Sequence, residues 1–154
     1  MEWRAWITSA YESRGPDVRP GFHGGASPER IGKVEAELGV RLPDSLREML
    51  AESDGVNELL KINGEWDEIG KVVWSCDELL DNIGEVRDFV GTVTGDPPPV
   101  VLPFAHAGVD GIVFAFFVGP DGVVDSTIHG WFPIDGEWRH VSASLEAHLR
   151  GWTV

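Results

Sequence analysis

The chain has 154 residues, with 26 acidic and 12 basic side chains, one cysteine and seven tryptophans. Its formal net charge of −14 disfavours unspecific binding to nucleic acid and to anionic membranes, because both are negatively charged. A single cysteine excludes an internal disulfide, and no apolar run approaches the ~20 residues of a membrane helix. We therefore expect a cytoplasmic protein that binds neither nucleic acid nor membrane.

The N-terminal segment is predicted to hold a short amphipathic helix followed by a loop. Apolar side chains recur at helical spacing within residues 2–13: Trp3, Trp6, Ile7, Ala10 and Tyr11. Gly15 and Pro16 end this helix, and the residues that follow show no periodicity. We therefore predict a helix-and-loop extension over residues 1–27 and a single domain over residues 28–154.

Two short helices joined by a bend are predicted next. Ser27 is a preferred N-cap residue, and Pro28 fits the first helical position. Gly39 suits the left-handed conformation that ends a helix, and the chain bends at Leu42 because Pro43 follows it. Apolar residues keep helical spacing in both helices: Ile31, Val34 and Leu38, then Leu46, Met49 and Leu50, before Asp54 and Gly55 end the second.

The middle of the chain is predicted to hold a hairpin, a strand and a fourth helix. Asn63 and Gly64 favour a tight turn after a strand over residues 59–62, and residues 71–74 form the next strand candidate. Ser75 and Glu78 then have the spacing of a capping box at a helix start.

The last third of the chain is predicted to be a run of antiparallel strands. Short turns rich in Gly and Asp separate five candidates: residues 100–102, 112–118, 123–129, 131–134 and 137–141, with Gly130 as one of the breaks. A final helix carries Leu145 and Leu149. The fold class expected from this order is α+β, an antiparallel β-sheet meander with helices packed mainly on one face.

The helical pair also resembles the opening motif of the SUKH superfamily, whose members include domains of the Smi/Knr cell-wall-assembly-regulator type. The resemblance rests on the spacing of Ile31, Glu35, Leu38-Gly39, Leu42-Pro43, Leu46, Met49-Leu50 and Asp54-Gly55. Residues 104–114 and 141–149 look similar to later parts of the same family. The resemblance implies the same α+β fold and a non-catalytic protein. Many such domains are bacterial immunity proteins that bind polymorphic toxins, and others are regulatory or scaffolding modules.

Enzyme signatures are missing from the sequence, and we expect no cofactor and no metal. The one catalytic or metal-binding alternative is His106 with Asp110, which lie in one predicted loop beside two glycines. This pair supplies only two ligands and no nucleophile. We interpret Asp110 as a turn residue and Cys76 as an inert apolar side chain.

Protein binding is the function that the remaining features favour. Sixteen acidic and seven basic residues lie between Glu29 and Asp88, and such an excess of acid suits either a solvated surface or capture of a basic partner. A predicted hairpin brings together an aromatic and imidazole cluster: His129, Trp131, Trp138 and His140. These side chains either pack in the core or form an exposed recognition surface. The partner-binding candidates are Trp66, Asp67, Glu68, Trp131, Trp138 and Asp110. We expect a protein partner, a toxin domain in the leading hypothesis, and leave monomer or dimer open.

Overall fold

The computed structural model describes residues 2–84, 101–107, 111–119, 121 and 123–150. Within these residues the strands form one antiparallel sheet whose spatial order, β1 to β7, is the order along the chain. The strands are β1 (Val18–Phe22), β2 (Val56–Ile62), β3 (Glu65–Val73), β4 (Val101–His106), β5 (Val113–Val118), β6 (Val124–Phe132) and β7 (Glu137–Ser142). The predicted α+β meander is confirmed.

Five helices accompany the sheet in the described residues: α1 (Trp3–Glu12), α2 (Pro28–Leu38), α3 (Asp44–Glu52), α4 (described over 76–84) and α5 (Leu145–Arg150). Helices α1, α3 and α5 contact one another, and α5 also contacts β6 and β7. This places the three helices in one layer over the sheet. None of the described helices is long and apolar enough to cross a membrane.

The bend between α2 and α3 forms as the local sequence predicts. The Ser27 hydroxyl accepts a hydrogen bond from the Arg30 N–H at 3.2 Å, which satisfies a backbone donor at the helix start. Gly39 ends α2 in the left-handed conformation, with φ of 71°. The Ser75 and Glu78 capping box of α4 also forms, because each residue's N–H donates to the other's side chain, at 3.0 and 3.2 Å.

The prediction of a loop after the first helix is wrong for residues 18–22, which form β1. This strand pairs with β2 from Val18↔Leu60 to Phe22↔Val56. Pro20 and Gly21 weaken the local strand signal. A proline is tolerated here because β1 is an edge strand that needs hydrogen bonds on one side only. The strand therefore forms through pairing with β2, which no local pattern reveals.

The predicted break at Gly130 is also wrong, because β6 runs through it. Gly130 is buried and pairs with Phe114 on one side and Arg139 on the other. A Cβ at this position would lie 2.9 Å from the Phe132 ring and 3.1 Å from Val141. The glycine therefore serves close side-chain packing within a continuous strand.

The sheet has two faces of different character. The core face carries Phe104, Phe116 and Ile128, which join the buried cluster that also contains residues of α1 to α5. The other face, called here the second face, is defined by a row of directly paired residues, because partners across neighbouring strands project to the same side. That row is Lys71, His106, Val113, Trp131 and Trp138.

The predicted contribution of Asp110 to a turn or site falls on a residue outside the described ranges. The division of the chain into an extension and a domain at residue 27 stays a prediction. Trp3, Ile7 and Tyr11 lie in the core that both parts share.

Candidate partner-binding surface at the turn end of the sheet

Three connections of the meander emerge at one end of the sheet, called here the turn end. They leave β2 at residues 63–64, β4 at residue 107 and β6 at residues 133–136. The connection between β5 and β6 lies at the opposite end, since antiparallel neighbours reverse direction at each turn.

The β2–β3 hairpin carries three of the predicted partner-binding residues. Asn63 and Gly64 both have positive φ, 53° and 83°, as a two-residue hairpin turn requires. Trp66 is half-buried, and the Arg19 guanidinium lies 4.1 Å from the ring centroid. Asp67 and Glu68 are exposed. This hairpin therefore presents acidic side chains on both of its faces, and the ring of its indole already binds a cation.

Glu68 also belongs to a polar network on the second face. The Lys71 ammonium lies 2.9 Å from Glu68 and 3.3 Å from Glu78, and donates to the Asn57 side chain at 2.8 Å. Burial lowers the pKa of Lys71, but the hydrogen bond with Glu68 and the carboxylate charges outweigh burial and raise the pKa overall. The network fixes Glu68, whereas Asp67 projects from the opposite side of β3.

His106 lies beside this network, and its ring is held by a neighbour. The Trp74 indole N–H donates to His106 Nδ1 at 2.8 Å, so the neutral ring carries its proton on Nε2. Burial lowers the pKa of His106. Within the described ranges, no three His, Cys, Asp or Glu side chains come close enough together to hold a metal ion. This geometry gives His106 a structural hydrogen bond, and its predicted partner Asp110 lies outside the described residues.

The predicted cluster of tryptophan and histidine is present on β5, β6 and β7. His129 stacks on Phe117 with 3.8 Å between ring centroids, and Trp138 meets the Phe117 ring edge to face at 5.4 Å. Burial, followed by the charge of His140, lowers the pKa of His129. Trp131 is only 1% exposed, so it is a packing residue and we leave it out of the candidate surface. Trp138 is half-buried and stays a candidate.

Two exposed isoleucines at the turn end were missed by the sequence analysis. Ile134, between β6 and β7, is 81% exposed, and Ile62, at the end of β2, is 43% exposed. Ile134 joins Ile112, Phe132 and Pro133 in lining a cavity of about 280 Å³. The local signal for exposure was the position of Ile134 directly before the Asp135-Gly136 turn, where no residue of a neighbouring strand covers it.

Two acidic residues of the motif that resembles the SUKH superfamily make hydrogen bonds that connect helices of the fold. The Glu35 carboxylate accepts the Leu42 N–H at 2.8 Å, which closes the bend between α2 and α3. The Asp54 carboxylate accepts the Cys76 N–H at 2.8 Å and so joins the end of α3 to the start of α4. Cys76 is buried, and burial followed by the Asp54 charge raises its thiol pKa to about 12. Its sulfur is thus protonated, in agreement with the prediction of an inert side chain.

The comparison with known proteins assigns the fold to a family. No curated protein matches this chain. The sequence model of the SMI1 / KNR4 family (SUKH-1) matches residues 25–151, which is most of the chain and includes the motif that joins α2, α3 and α4. Membership of this family supports an immunity-protein-like or Smi1/Knr4-type role, and the family is generally non-catalytic. The chain therefore belongs to the SMI1 / KNR4 family (SUKH-1).

Proposed function

We propose that this protein is an immunity protein that neutralises a cognate toxin domain by stoichiometric binding at the turn end of the sheet. The observation that carries the proposal is the surface of the β2–β3 hairpin. Glu65 and Asp67 are exposed there without a described ion pair, on the same face of the hairpin as exposed Ile62, and half-buried Trp66 lies on the other face. An exposed aliphatic side chain bordered by carboxylates suits a basic protein surface.

The charge of the whole chain supports the same partner. A net charge of −14 attracts a basic protein over the range of the Debye length, about 10 Å at 0.1 M salt. A nuclease toxin has a basic groove for its phosphate-bearing substrate. The carboxylates of this protein would occupy that groove by imitating phosphate charge, and this blocks the substrate without chemistry.

The experiment is a titration of toxin activity. The purified protein is added in increasing amounts to the C-terminal toxin domain encoded beside its gene. We expect activity to fall linearly and to vanish at one equivalent, because neutralisation by binding consumes one molecule per toxin. Residual activity at a large excess would contradict the proposal. That result would favour the regulatory or scaffolding role, in which a strain deleted for the neighbouring toxin gene still needs the protein.

A further inference from the structure

A cavity lies at the β6–β7 turn, at the turn end of the sheet. Described residues that line it are Ile112, Phe132, Pro133, Ile134 and Asp135, and its volume is about 280 Å³. Small-molecule sites usually span about 300–1,000 Å³ and bury most of their ligand. The cavity lies at the lower end of that range and its described lining is mostly apolar, so it is large enough for a single inserted side chain.

The walls of the cavity are held in place before any partner arrives. The Phe132 ring lies over Gly130, where an added Cβ would be 2.9 Å from the ring. On the neighbouring strand, β7, the Arg139 guanidinium lies 4.9 Å from the centroid of the Phe132 ring. The Gly136 N–H donates to the Phe132 carbonyl at 2.9 Å, and Gly136 has φ of 64°. Pro133 adds a fixed φ. A wall that is already ordered loses little conformational entropy on binding.

Ile134 lies at the edge of this cavity, and its exposed side chain buries little apolar surface within the fold. A single exposed isoleucine is ordinary on a protein surface. Here the side chain borders a concave apolar cavity, and Ile62 is exposed at the same end of the sheet. Apolar residues around a pocket at the centre of a contact supply much of the binding energy of protein interfaces.

The rim of the cavity is acidic. The carboxylates of Asp135 and Glu137 are 47% and 54% exposed, and both bind the single guanidinium of Arg139. Two carboxylates around one cation leave one negative charge at the rim. The hydrogen bond with Glu137 raises the pKa of Arg139, so this cation stays charged throughout. A second cation, supplied by a partner, completes the charge balance.

We infer that the cavity takes one aliphatic or aromatic side chain of the partner protein, with a partner Lys or Arg against Asp135 and Glu137. This inference rests on the proposed function, since it names the anchor of the same complex. The partner chemistry is an apolar residue within a basic surface. An anionic membrane does not fit, because the rim would repel it.

The test measures the dissociation constant of the complex with the toxin domain encoded beside the gene, for the unchanged protein and for two single variants. Ile134→Asp places a charge at the edge of the cavity, whereas Val123→Asp adds the same charge at a 64% exposed valine at the opposite end of the sheet. Both positions are exposed, so both variants should keep the melting temperature of the unchanged protein. We expect Ile134→Asp to weaken binding roughly tenfold or more and Val123→Asp to change it less than about twofold.

The outcomes separate this inference from the proposed function. Binding of the unchanged protein together with unimpaired binding of Ile134→Asp would overturn the anchor and leave the immunity proposal standing. Equal weakening by both variants would also overturn it, because added charge alone would then explain the loss. Failure of the unchanged protein to bind would overturn the proposed function and the anchor with it. A third variant, Asp135→Asn with Glu137→Gln, should reduce the salt dependence of binding.

Discussion

At the scale of single residues, His148 links the stability of the protein to pH. Its ring is 4% exposed and lies 4.7 Å from the Phe114 centroid and 5.9 Å from the Phe104 centroid. Burial lowers its pKa to about 4, below the usual value near 6.5. The unfolded chain therefore binds a proton between these two pH values while the folded chain does not.

This difference predicts a loss of stability on acidification. Because the unfolded state binds more protons, the His148 contribution is complete above pH about 6.5 and declines toward pH about 4, by up to about 3 kcal/mol. Urea unfolding at several pH values should show a smaller loss over this range for His148→Leu than for the unchanged protein. His140→Leu, which removes an exposed imidazole, is the control. Identical pH profiles for all three proteins would show that His148 does not carry the effect.

Two glycines of the family motif are predicted to differ in their tolerance of a side chain. Gly55 has φ of 92°, and a Cβ there would lie 2.9 Å from the Ser75 backbone nitrogen. Gly39 has φ of 71° with no atom within 4 Å of the added carbon. Gly39→Ala should cost about 1 kcal/mol for the left-handed conformation, and Gly55→Ala should cost more, because backbone must also move. Equal free energies of unfolding for the two variants would contradict this account.

At the scale of elements, the N-terminal segment is tied to the sheet by side chains and by backbone. The Tyr11 hydroxyl donates to the buried Glu58 carboxylate, and Arg14 lies 3.3 Å from the same group. Glu52 accepts from the Trp3 N–H at 3.2 Å, which fixes the start of α1 to α3. These contacts and the β1–β2 pairing connect the first 24 residues to the region that the family model covers.

Removal of residues 1–24 is therefore expected to prevent cooperative folding. The shortened chain would expose the edge of β2 and the core surface that Trp3, Ile7 and Tyr11 cover, which invites aggregation. Calorimetry of the shortened and full-length proteins measures this directly. A shortened protein with a cooperative transition within a few degrees of the full-length one would show that residues 1–24 are separable, in line with the N-terminal extension that the sequence analysis predicted.

The sequence predicted the elements whose signals are local. Ser27 and Gly39 mark the ends of α2, and Asn63-Gly64 marks the β2–β3 turn, because each acts within a few residues. Strand β1 was missed because its stability comes from β2, which is distant in sequence. Gly130 was misread because its close approach to Phe132 and Val141 depends on pairing with β7.

The candidate surface was only partly predictable for the same reason. Trp66 and Trp138 were named from their hairpins, but the burial of Trp131 depends on how the sheet packs. The exposure of Ile134 follows from a turn that leaves it uncovered, and the cavity beside it needs Ile112 from another connection. Composition predicted an acidic surface without indicating which end of the sheet would carry an apolar anchor.

At the scale of the whole molecule, charge and an apolar contact are proposed to act together in binding. We propose that this acidic member of the SMI1 / KNR4 family binds a basic protein through the turn end of its sheet, with carboxylates guiding the encounter and an apolar anchor holding the complex. Charge acts over distances that salt screens, whereas burial of an apolar side chain is insensitive to moderate salt. The two contributions can therefore be separated by varying salt.

The most direct measurement is calorimetric titration of this protein against the neighbouring toxin domain at ~0.1 M and ~1 M salt, where the Debye length falls from about 10 Å to about 3 Å. The double variant Glu65→Gln with Asp67→Asn is compared with Glu37→Gln with Glu48→Gln, which removes the same charge from exposed positions on α2 and α3. We predict one-to-one binding that weakens with salt, and a loss of affinity at low salt confined to the hairpin variant. Salt-insensitive binding, or equal loss in both variants, would contradict this prediction.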